Sequence, residues 1–155
     1  MTSIETRPAL ETFSLGGDPL LSEGSSMRLL AQTDEFWMHL KIYSTGGENG
    51  LHAHTDEDHA FVVLQGQATY VDGDGTERVV NRYEGVLVPK GALYRFQSSG
   101  DENLVLLRVG TSQKGIESVA NRTGADGSSR PAHAPENITG AVEPVSVPGR
   151  FFGVD

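Results

Sequence analysis

Short runs with alternating polarity, separated by turn residues, make up the middle of this chain. The clearest run is EFWMHLKIY at residues 35–43, in which alternate positions form two sets. One set is Phe36, Met38, Leu40 and Ile42, and the other is Trp37, His39, Lys41 and Tyr43. A period of two predicts a β-strand, because successive strand side chains point to opposite faces of a sheet. The segment GGENG at residues 46–50 ends the run.

Similar short runs follow until residue 110. They are LHAH, HAFVVLQG, QATYV, TERVVNR, YEGVLVPKG, LYRFQ and LVLLRVG, with the turn-forming segments TDED, DGDG and SSGDEN between them. DGDG at residues 72–75 is interpreted as a hairpin turn, because the remaining ligands of a calcium loop are absent. Strands of this length at this spacing predict an all-β barrel or sandwich.

The two ends of the chain differ from this middle. Residues 1–26 contain the turn-forming segments GGDPL and SEGSS and are predicted to form an irregular arm. Residues 111–155 are rich in Gly, Pro, Ser and Asn, a composition typical of disorder. The apolar residues of VEPVSVPGRFF, residues 142–152, instead favour an extended tail that packs on the barrel or on a partner subunit. The barrel itself is predicted to span residues 27–110.

Composition excludes several classes of function. The formal net charge of -9 provides no basic face for nucleic acid or for an anionic membrane. With no cysteine, a metal would have to be held by imidazole, carboxylate, phenolate or water. The first residues, which include Glu5 and Glu11, do not resemble a signal peptide, and no apolar run reaches the length of a membrane span. A cytoplasmic location is therefore expected.

Three of the five histidines lie within eight residues, in GLHAHTDEDHAFVVLQG at residues 50–66. His52 and His54 are two apart, so in a strand both side chains point to one face. A reversal at TDED would set His59 beside them on an antiparallel neighbour. Three such imidazoles suit a divalent first-row metal with open positions, and apolar neighbours (Phe61, Val63 and Leu64) would keep the site dry. The alternative is a set of surface histidines on an acidic hairpin, and spacing alone leaves both open.

The other polar candidates have simpler interpretations. Asp56, Glu57 and Asp58 are expected to form a solvated acidic turn. His39 is expected to be a packed or surface residue, and His133 a solvated residue of the tail. Arg95 and Arg108 lie within apolar strands; a carboxylate partner or an anionic substrate would explain either, and an outward-facing position explains both more simply.

Two spaced motifs resemble those of the cupin superfamily. In the first, Gly46 opens the motif, His52 and His54 fill its H-x-H, and Gly66 closes it. In the second, GVLVPKGALYRFQS matches at Gly85, Pro89 and Gly91, and its YRF stands where HRF is usual. The resemblance covers roughly residues 27–110 and implies a double-stranded β-helix, a jelly-roll-like barrel with a metal inside.

This chain departs from the family motifs at two positions. His59 occupies the position of the usual glutamate, and Tyr94 that of the third histidine; Asp58 would replace the glutamate only under a shorter spacing that misplaces Gly66. The resemblance implies one divalent metal per chain (Fe, Mn, Zn or Ni), held by His52, His54 and His59. Tyr94 is the candidate catalytic residue, a hydrogen-bond donor or proton shuttle, because an un-ionised phenol is a poor ligand. Iron(III) could lower the cost of ionising it, and Tyr94 would then be a ligand instead.

The resulting hypothesis is a metal-dependent enzyme that acts on a small-molecule substrate, either a non-haem iron dioxygenase or a manganese or zinc lyase or isomerase. The alternatives are a cupin that binds a small molecule without turnover, a barrel that has lost its metal, and a structural protein. Since cupins commonly dimerise, a homodimer is also expected.

Overall fold

A computed structural model of the protein describes residues 7–44, 48–129, 138–139 and 143–155. Gly46 and His133, which the sequence analysis singled out, lie outside the described residues. The strands of the first half are β1 (Pro19–Glu23), β2 (Ser25–Gln32), β3 (Phe36–Tyr43), β4 (Glu48–Asn49), β5 (Ala53–His54), β6 (Asp58–Gln65) and β7 (Gln67–Asp72). Those of the second half are β8 (Glu77–Asn81), β9 (Gly85–Val88), β10 (Tyr94–Ser98), β11 (Leu104–Thr111), β12 (Arg122–Thr123), β13 (Ile138–Thr139) and β14 (Val145–Phe151). A short 3-10 helix, Ile116–Ala120, precedes β12.

The strands form a double-stranded β-helix, the all-β fold that the sequence predicted. One sheet has the order β2-β3-β11-β6-β9 and a second has the order β10-β7-β8, with antiparallel pairs throughout. The predicted strand at residues 35–43 is β3, and DGDG joins β7 to β8 as a hairpin turn. The non-consecutive order arises because β11, late in the chain, inserts between β3 and β6.

Alternation along β11 separates two apolar clusters. Leu104 and Leu106 point into the barrel and pack with Phe61, Phe96 and other buried residues. Val105 points the other way and joins an outer cluster with Leu21, Leu40 and Ile42. The inner cluster includes Tyr94, so it borders the polar residues of the candidate site.

The two ends of the chain cover the outer cluster. β1 pairs with β14, with Leu21 opposite Ser146, and Phe152 packs against the cluster together with Leu15 and Leu20. β1 lies inside the segment predicted as an arm, and β14 lies inside the segment predicted as a tail. Pro144 precedes β14 and Pro148 lies within it. Because proline cannot donate to a ladder, both positions suit a strand at an edge.

The predictions on assembly and location stay predictions. Met27 and Leu29 on the edge strand β2 are 62% and 43% exposed, and Leu87 on β9 is 70% exposed, but a single chain does not test the expected homodimer. Within the described parts of the chain no helix is long and apolar enough to cross a membrane.

Candidate metal centre and its surroundings

The three histidines singled out from the sequence lie together inside the barrel. His52, His54 and His59 are each 2% exposed or less. The ring centroids of His52 and His54 are 5.1 Å apart, and those of His54 and His59 are 4.7 Å apart. The alternative of surface histidines on an acidic hairpin is therefore excluded.

Strand pairing does not bring these rings together in the predicted way. We expected His59 to lie on an antiparallel neighbour of the strand that carries His54. Instead β5 pairs with β12, where Arg122 is opposite His54, whereas β6 pairs with β9 and β11. The rings meet across the barrel interior because the two strands belong to different sheets, which local sequence does not reveal.

Each imidazole turns its Nδ1 atom toward an acceptor of the protein. His52 Nδ1 lies 2.8 Å from the carbonyl oxygen of Gly50. His54 Nδ1 lies 3.3 Å from Oε2 of Glu57, and His59 Nδ1 lies 3.7 Å from Oε1 of the same carboxylate. Only the His52 contact is a hydrogen bond, because Nδ1 of His54 and Nδ1 of His59 have no hydrogen-bond partner among the described residues. A proton on Nδ1 of His52 leaves its Nε2 lone pair free, as in metal-ligating histidines.

Glu57 is the main correction to the sequence analysis. The expected solvated turn holds for Asp56 and Asp58, which pair with Lys114 and Lys90 at the surface. Glu57 between them is 0% exposed and points inward. A buried carboxylate is costly unless it is paired, and Nη2 of Arg108 lies 2.5 Å from its Oε1.

Arg108 is the second correction, because it does not face outward as expected. It is 3% exposed on the inner face of β11, with Phe61 of β6 and His39 of β3 opposite it. Its neighbour Gly110 leaves the space for the acid: a Cβ there would come within 2.5 Å of both Glu57 Oε1 and Trp37 Nε1. In the sequence, the position of Arg108 inside an apolar strand, two residues before Gly110, was the feature that could have indicated the buried pair of Arg108 and Glu57.

Burial keeps the imidazoles neutral. It lowers the pKa of His52 to about 4 and that of His59 to about 2, and it lowers the pKa of His54 as well. Nearby cations, including Arg108 and Arg122, act in the same direction on His54 and His59. Neutral imidazole is the form that binds a metal, so these three rings are ready to bind without losing a proton.

Tyr94 projects into the same space. The backbones of His52 and Tyr94 exchange two hydrogen bonds, of 3.0 and 2.9 Å, which place the two side chains on one side. The hydroxyl of Tyr94 lies 3.4 Å from Nε2 of His54, and its ring centroid is 4.7 Å from that of His52 and 5.3 Å from that of His59. Burial raises its pKa to about 12, although Arg108 and Arg122 oppose the shift, so the hydroxyl stays protonated.

The donor set fits a divalent metal in its chemistry. Two imidazoles on one ion have ring centroids roughly 5 Å apart when each nitrogen is at about 2.1 Å, which agrees with the two measured separations. His52 Nε2 and His59 Nε2 are buried without a hydrogen-bond partner. Among the described residues, however, no group of three or more His, Asp or Glu side chains lies in an arrangement that could hold a metal ion.

The predicted apolar wall is correct in part. Phe61 and Val63 belong to the inner cluster, and the Phe61 ring is 5.3 Å from that of His59. Leu64 faces outward and packs against the outer cluster instead. Tyr70 and Phe96 stack at 5.1 Å within the inner cluster, so these aromatic rings form the barrel core.

Two cations near the histidines were missed by the sequence analysis. Lys41 shares the inner face of β3 with His39 and Tyr43, and its Nζ lies 5.2 Å from the Tyr43 ring centroid. Arg122 stands opposite His54 in the ladder between β5 and β12. The alternation along β3 had placed Lys41 on the same face as Trp37, so its inward position could have been predicted. Arg122 could not have been found in this way, because it lies in the segment that composition assigned to the tail.

Comparison with known proteins agrees with this architecture. A family model described as Cupin domain (Cupin_2) matches residues 39–110. A Mycobacterium tuberculosis protein named Beta-D-galactosidase Rv1717 is 34% identical over 93 residues, which are 57% of this chain and 78% of that protein.

Solved structures with low identity share the fold. The Cnp3 cupin domain of Schizosaccharomyces pombe matches with a TM-score of 0.54 at 18% identity, over 59% of this chain and 67% of that one. KdgF from a Halomonas species matches with a TM-score of 0.51 at 17% identity, over 57% of this chain and 79% of that one. The family model, the mycobacterial relative and the double-stranded β-helix agree with the two sequence motifs, so the chain belongs to the cupin superfamily.

Proposed function

We propose that this protein is a metal-dependent cupin enzyme that acts on a small molecule, with one divalent ion held by Nε2 of His52, His54 and His59. The observation that carries the proposal is the common orientation of the three rings. Each Nδ1 faces a carbonyl or carboxylate oxygen, but only that of His52 is hydrogen-bonded, and Nε2 of His52 and of His59 is buried without a hydrogen-bond partner. At His52 the contact with Gly50 favours the tautomer that a metal ligand needs.

A bound divalent ion would supply Lewis-acid chemistry, or oxygen chemistry if it is iron. The chain's own residues orient and protect the site. Glu57 holds His54 and His59 from behind, and Arg108 fixes Glu57. Phe61 and Val63 keep bulk water from that side of the rings.

Tyr94 is proposed as the residue that donates a hydrogen bond or a proton to the substrate. Its hydroxyl is protonated at neutral pH because burial raises its pKa to about 12. Its oxygen, 3.4 Å from His54 Nε2, lies next to the position that a substrate on the same ion would occupy. A phenol with this pKa is a better donor than ligand.

Glycoside hydrolysis is the second candidate function, favoured by the name and 34% identity of the mycobacterial relative. Hydrolysis of this kind ordinarily uses two carboxyl groups about 5 to 9.5 Å apart. Among the described residues Glu57 is the only buried carboxylate, and it is engaged by Arg108. A galactosidase built on this site would therefore need the metal to replace the second carboxylate.

Metal content tests the main proposal. Untagged protein should carry about one divalent ion per chain by elemental analysis. His52→Ala and His54→Ala should abolish binding, and His59→Ala should weaken it strongly. His39→Ala is the matched control, since His39 is also buried and on the inner face but outside the ring contacts. Wild-type metal content in all three ligand variants would overturn the assignment.

Turnover then separates the enzyme from a binding protein. Protein reconstituted with Fe²⁺, Mn²⁺, Zn²⁺ or Ni²⁺ without oxygen should be screened with an oxygen electrode and with a chromogenic β-D-galactoside. Activity on the galactoside that survives in the histidine variants would favour metal-free hydrolysis. Stoichiometric metal without turnover in any of these screens would favour the non-catalytic alternative.

Tyr94 variants test its role independently of the metal. Tyr94→Phe should retain the metal and lower turnover by about two to four orders of magnitude. Tyr94→His should bind the metal more tightly and be a worse enzyme, because a fourth imidazole closes a position that the substrate needs. Identical metal affinity and activity in wild type and both variants would remove Tyr94 from the site.

A further inference from the structure

The inside of this barrel is positively charged, in contrast to the chain as a whole. The protein has a formal net charge of -9. Around the three histidines, however, the described residues place three cations, Lys41, Arg108 and Arg122, against the one carboxylate of Glu57.

The three cations come from three strands and face one space. Lys41 is on β3 directly opposite Leu106, an inner-face residue of β11, and directly paired residues point to the same side of a sheet. Arg108 lies one inner-face position further along β11. Arg122 is on β12 opposite His54. All three act electrostatically on His52.

Most of this positive charge has no partner among the described residues. Arg108 uses Nη2 for Glu57, but its Nη1 is buried without a hydrogen bond. Arg122 donates from Nε to the carbonyl of Val119 at 3.3 Å and forms no ion pair within the described ranges. Lys41 Nζ lies over the Tyr43 ring and likewise has no carboxylate within ion-pair distance in those ranges.

The cations therefore destabilise one another. Burial, followed by Arg108 and Arg122, lowers the pKa of Lys41 to about 7, with only Glu57 acting against the shift. Burial also lowers the pKa of Arg122, and Arg108 adds to the effect. Arg108 is buried, and Lys41 and Arg122 are half-buried beside it, so their excess of positive charge is costly unless an anion accompanies it.

We propose that the cluster of cations beside the three histidines binds a small organic carboxylate, held by Lys41, Arg122 and the free Nη1 of Arg108. The inference rests on the proposed function in one respect, that this carboxylate is the substrate of the same site. The three groups supply charge-assisted hydrogen bonds to carboxylate oxygens, and a guanidinium can bind both oxygens at once. A neutral sugar or alcohol would leave the positive charge uncompensated.

Matched pairs of probes test this charge preference. Calorimetric titration of the full chain should compare malonate with malonamide and D-galacturonate with D-galactose, since the members of each pair differ at the ionised groups. At least one anion should bind about tenfold or more tightly than its neutral counterpart. No detectable binding of either anion, or equal binding within both pairs, would overturn the inference.

Substitutions of the cations test where the anion binds. Lys41→Met and Arg122→Met should each weaken anion binding by about tenfold or more. Lys90→Met and Arg82→Met are the matched controls on the outside, where both side chains are exposed, and should leave binding unchanged. Should either interior variant unfold, Lys41→Gln keeps a polar group without the charge, and Lys41→Arg should retain binding. Anion binding that is identical in the interior and control variants would place it on the surface and overturn the inference.

The same titration separates this inference from the proposed function. It should be run on protein stripped of metal with a chelator and on protein loaded with Zn²⁺. In one outcome, stripped protein prefers anions and yet takes up no Zn²⁺. That result would support the anion site and contradict the proposed metal site. Uptake of Zn²⁺ at the histidines with no preference for anions would support the metal site and overturn the inference.

Discussion

The two faces of β3 have different compositions and serve different purposes. Its outer face presents Leu40 and Ile42 to a cluster of aliphatic residues that the ends of the chain cover. Its inner face presents His39 and Lys41 to a space that also holds Arg108 and Glu57. The outer face gains stability by burying apolar surface, whereas the inner face buries charge at a cost. The comparison indicates that the outer face of β3 contributes only apolar burial, whereas its inner face combines the buried Trp37 and Tyr43 with polar groups.

The largest expected effect is on the inner side, at Glu57. Glu57→Leu leaves Arg108 buried without its partner and should reduce the free energy of unfolding by about 3 to 5 kcal/mol. It should also weaken metal binding about 10- to 100-fold, because His54 and His59 lose the acceptor that orients them. Urea unfolding and metal titration measure the two effects.

The double variant Glu57→Leu/Arg108→Met sharpens this test. Replacing both partners of a buried pair by apolar groups is often neutral, so stability should return toward that of wild type while metal binding stays weak. A double variant as unstable as Glu57→Leu alone would show that the pair is not the cause of the loss.

The outer face should respond in stability alone. Ile42→Ala removes a fully buried side chain from the outer cluster and should cost about 2 to 5 kcal/mol in the free energy of unfolding. Metal content per folded chain should not change. Val79→Ala, at a position 55% exposed on β8, is the control and should have little effect. A loss of metal in Ile42→Ala would mean that the two faces are coupled.

Gly110 tests the close packing that lets Glu57 reach the interior. Gly110→Ala adds a Cβ within 2.5 Å of Glu57 Oε1 and Trp37 Nε1, and should cost about 1 to 3 kcal/mol in stability. The displaced carboxylate should also weaken metal binding. Thr111→Ala, at the exposed end of the same strand, is the control. Unaltered stability and metal affinity in Gly110→Ala would contradict this packing.

The smallest effect concerns the pH dependence of stability at His39. Burial, then Arg108 and Lys41, lowers its pKa in the folded protein from 6.5 to about 4. Between these values the unfolded chain binds a proton at this site and the folded chain does not, so stability falls as the pH decreases from 6.5 toward 4. His39→Gln should make this acid branch shallower in melting temperatures measured across the range, while His52, His54 and His59, whose pKa values are also lowered, keep the remainder. Parallel profiles for wild type and His39→Gln would show that His39 does not contribute.

The sequence determined the strands, the family and the three histidines, because period-two alternation and motif spacing are local properties of the chain. It also placed Tyr94 in the second motif, opposite the histidines. The inward position of Glu57 could not be predicted in this way, because a run of three acidic residues, Asp56, Glu57 and Asp58, is typical of a solvated turn. Its inward position depends on Arg108 and on the space at Gly110, both more than fifty residues away in the chain.

Only the tertiary structure decided which charges share the barrel. The insertion of β11 between β3 and β6 brings Arg108 to Glu57, and the pairing of β12 with β5 brings Arg122 from the apparent tail to His54. An isolated strand reveals which side chains share a face but not whether that face is lined by water or by other charges. The positive interior of an acidic protein is therefore a property of strand order, since long-range pairing alone sets which faces meet.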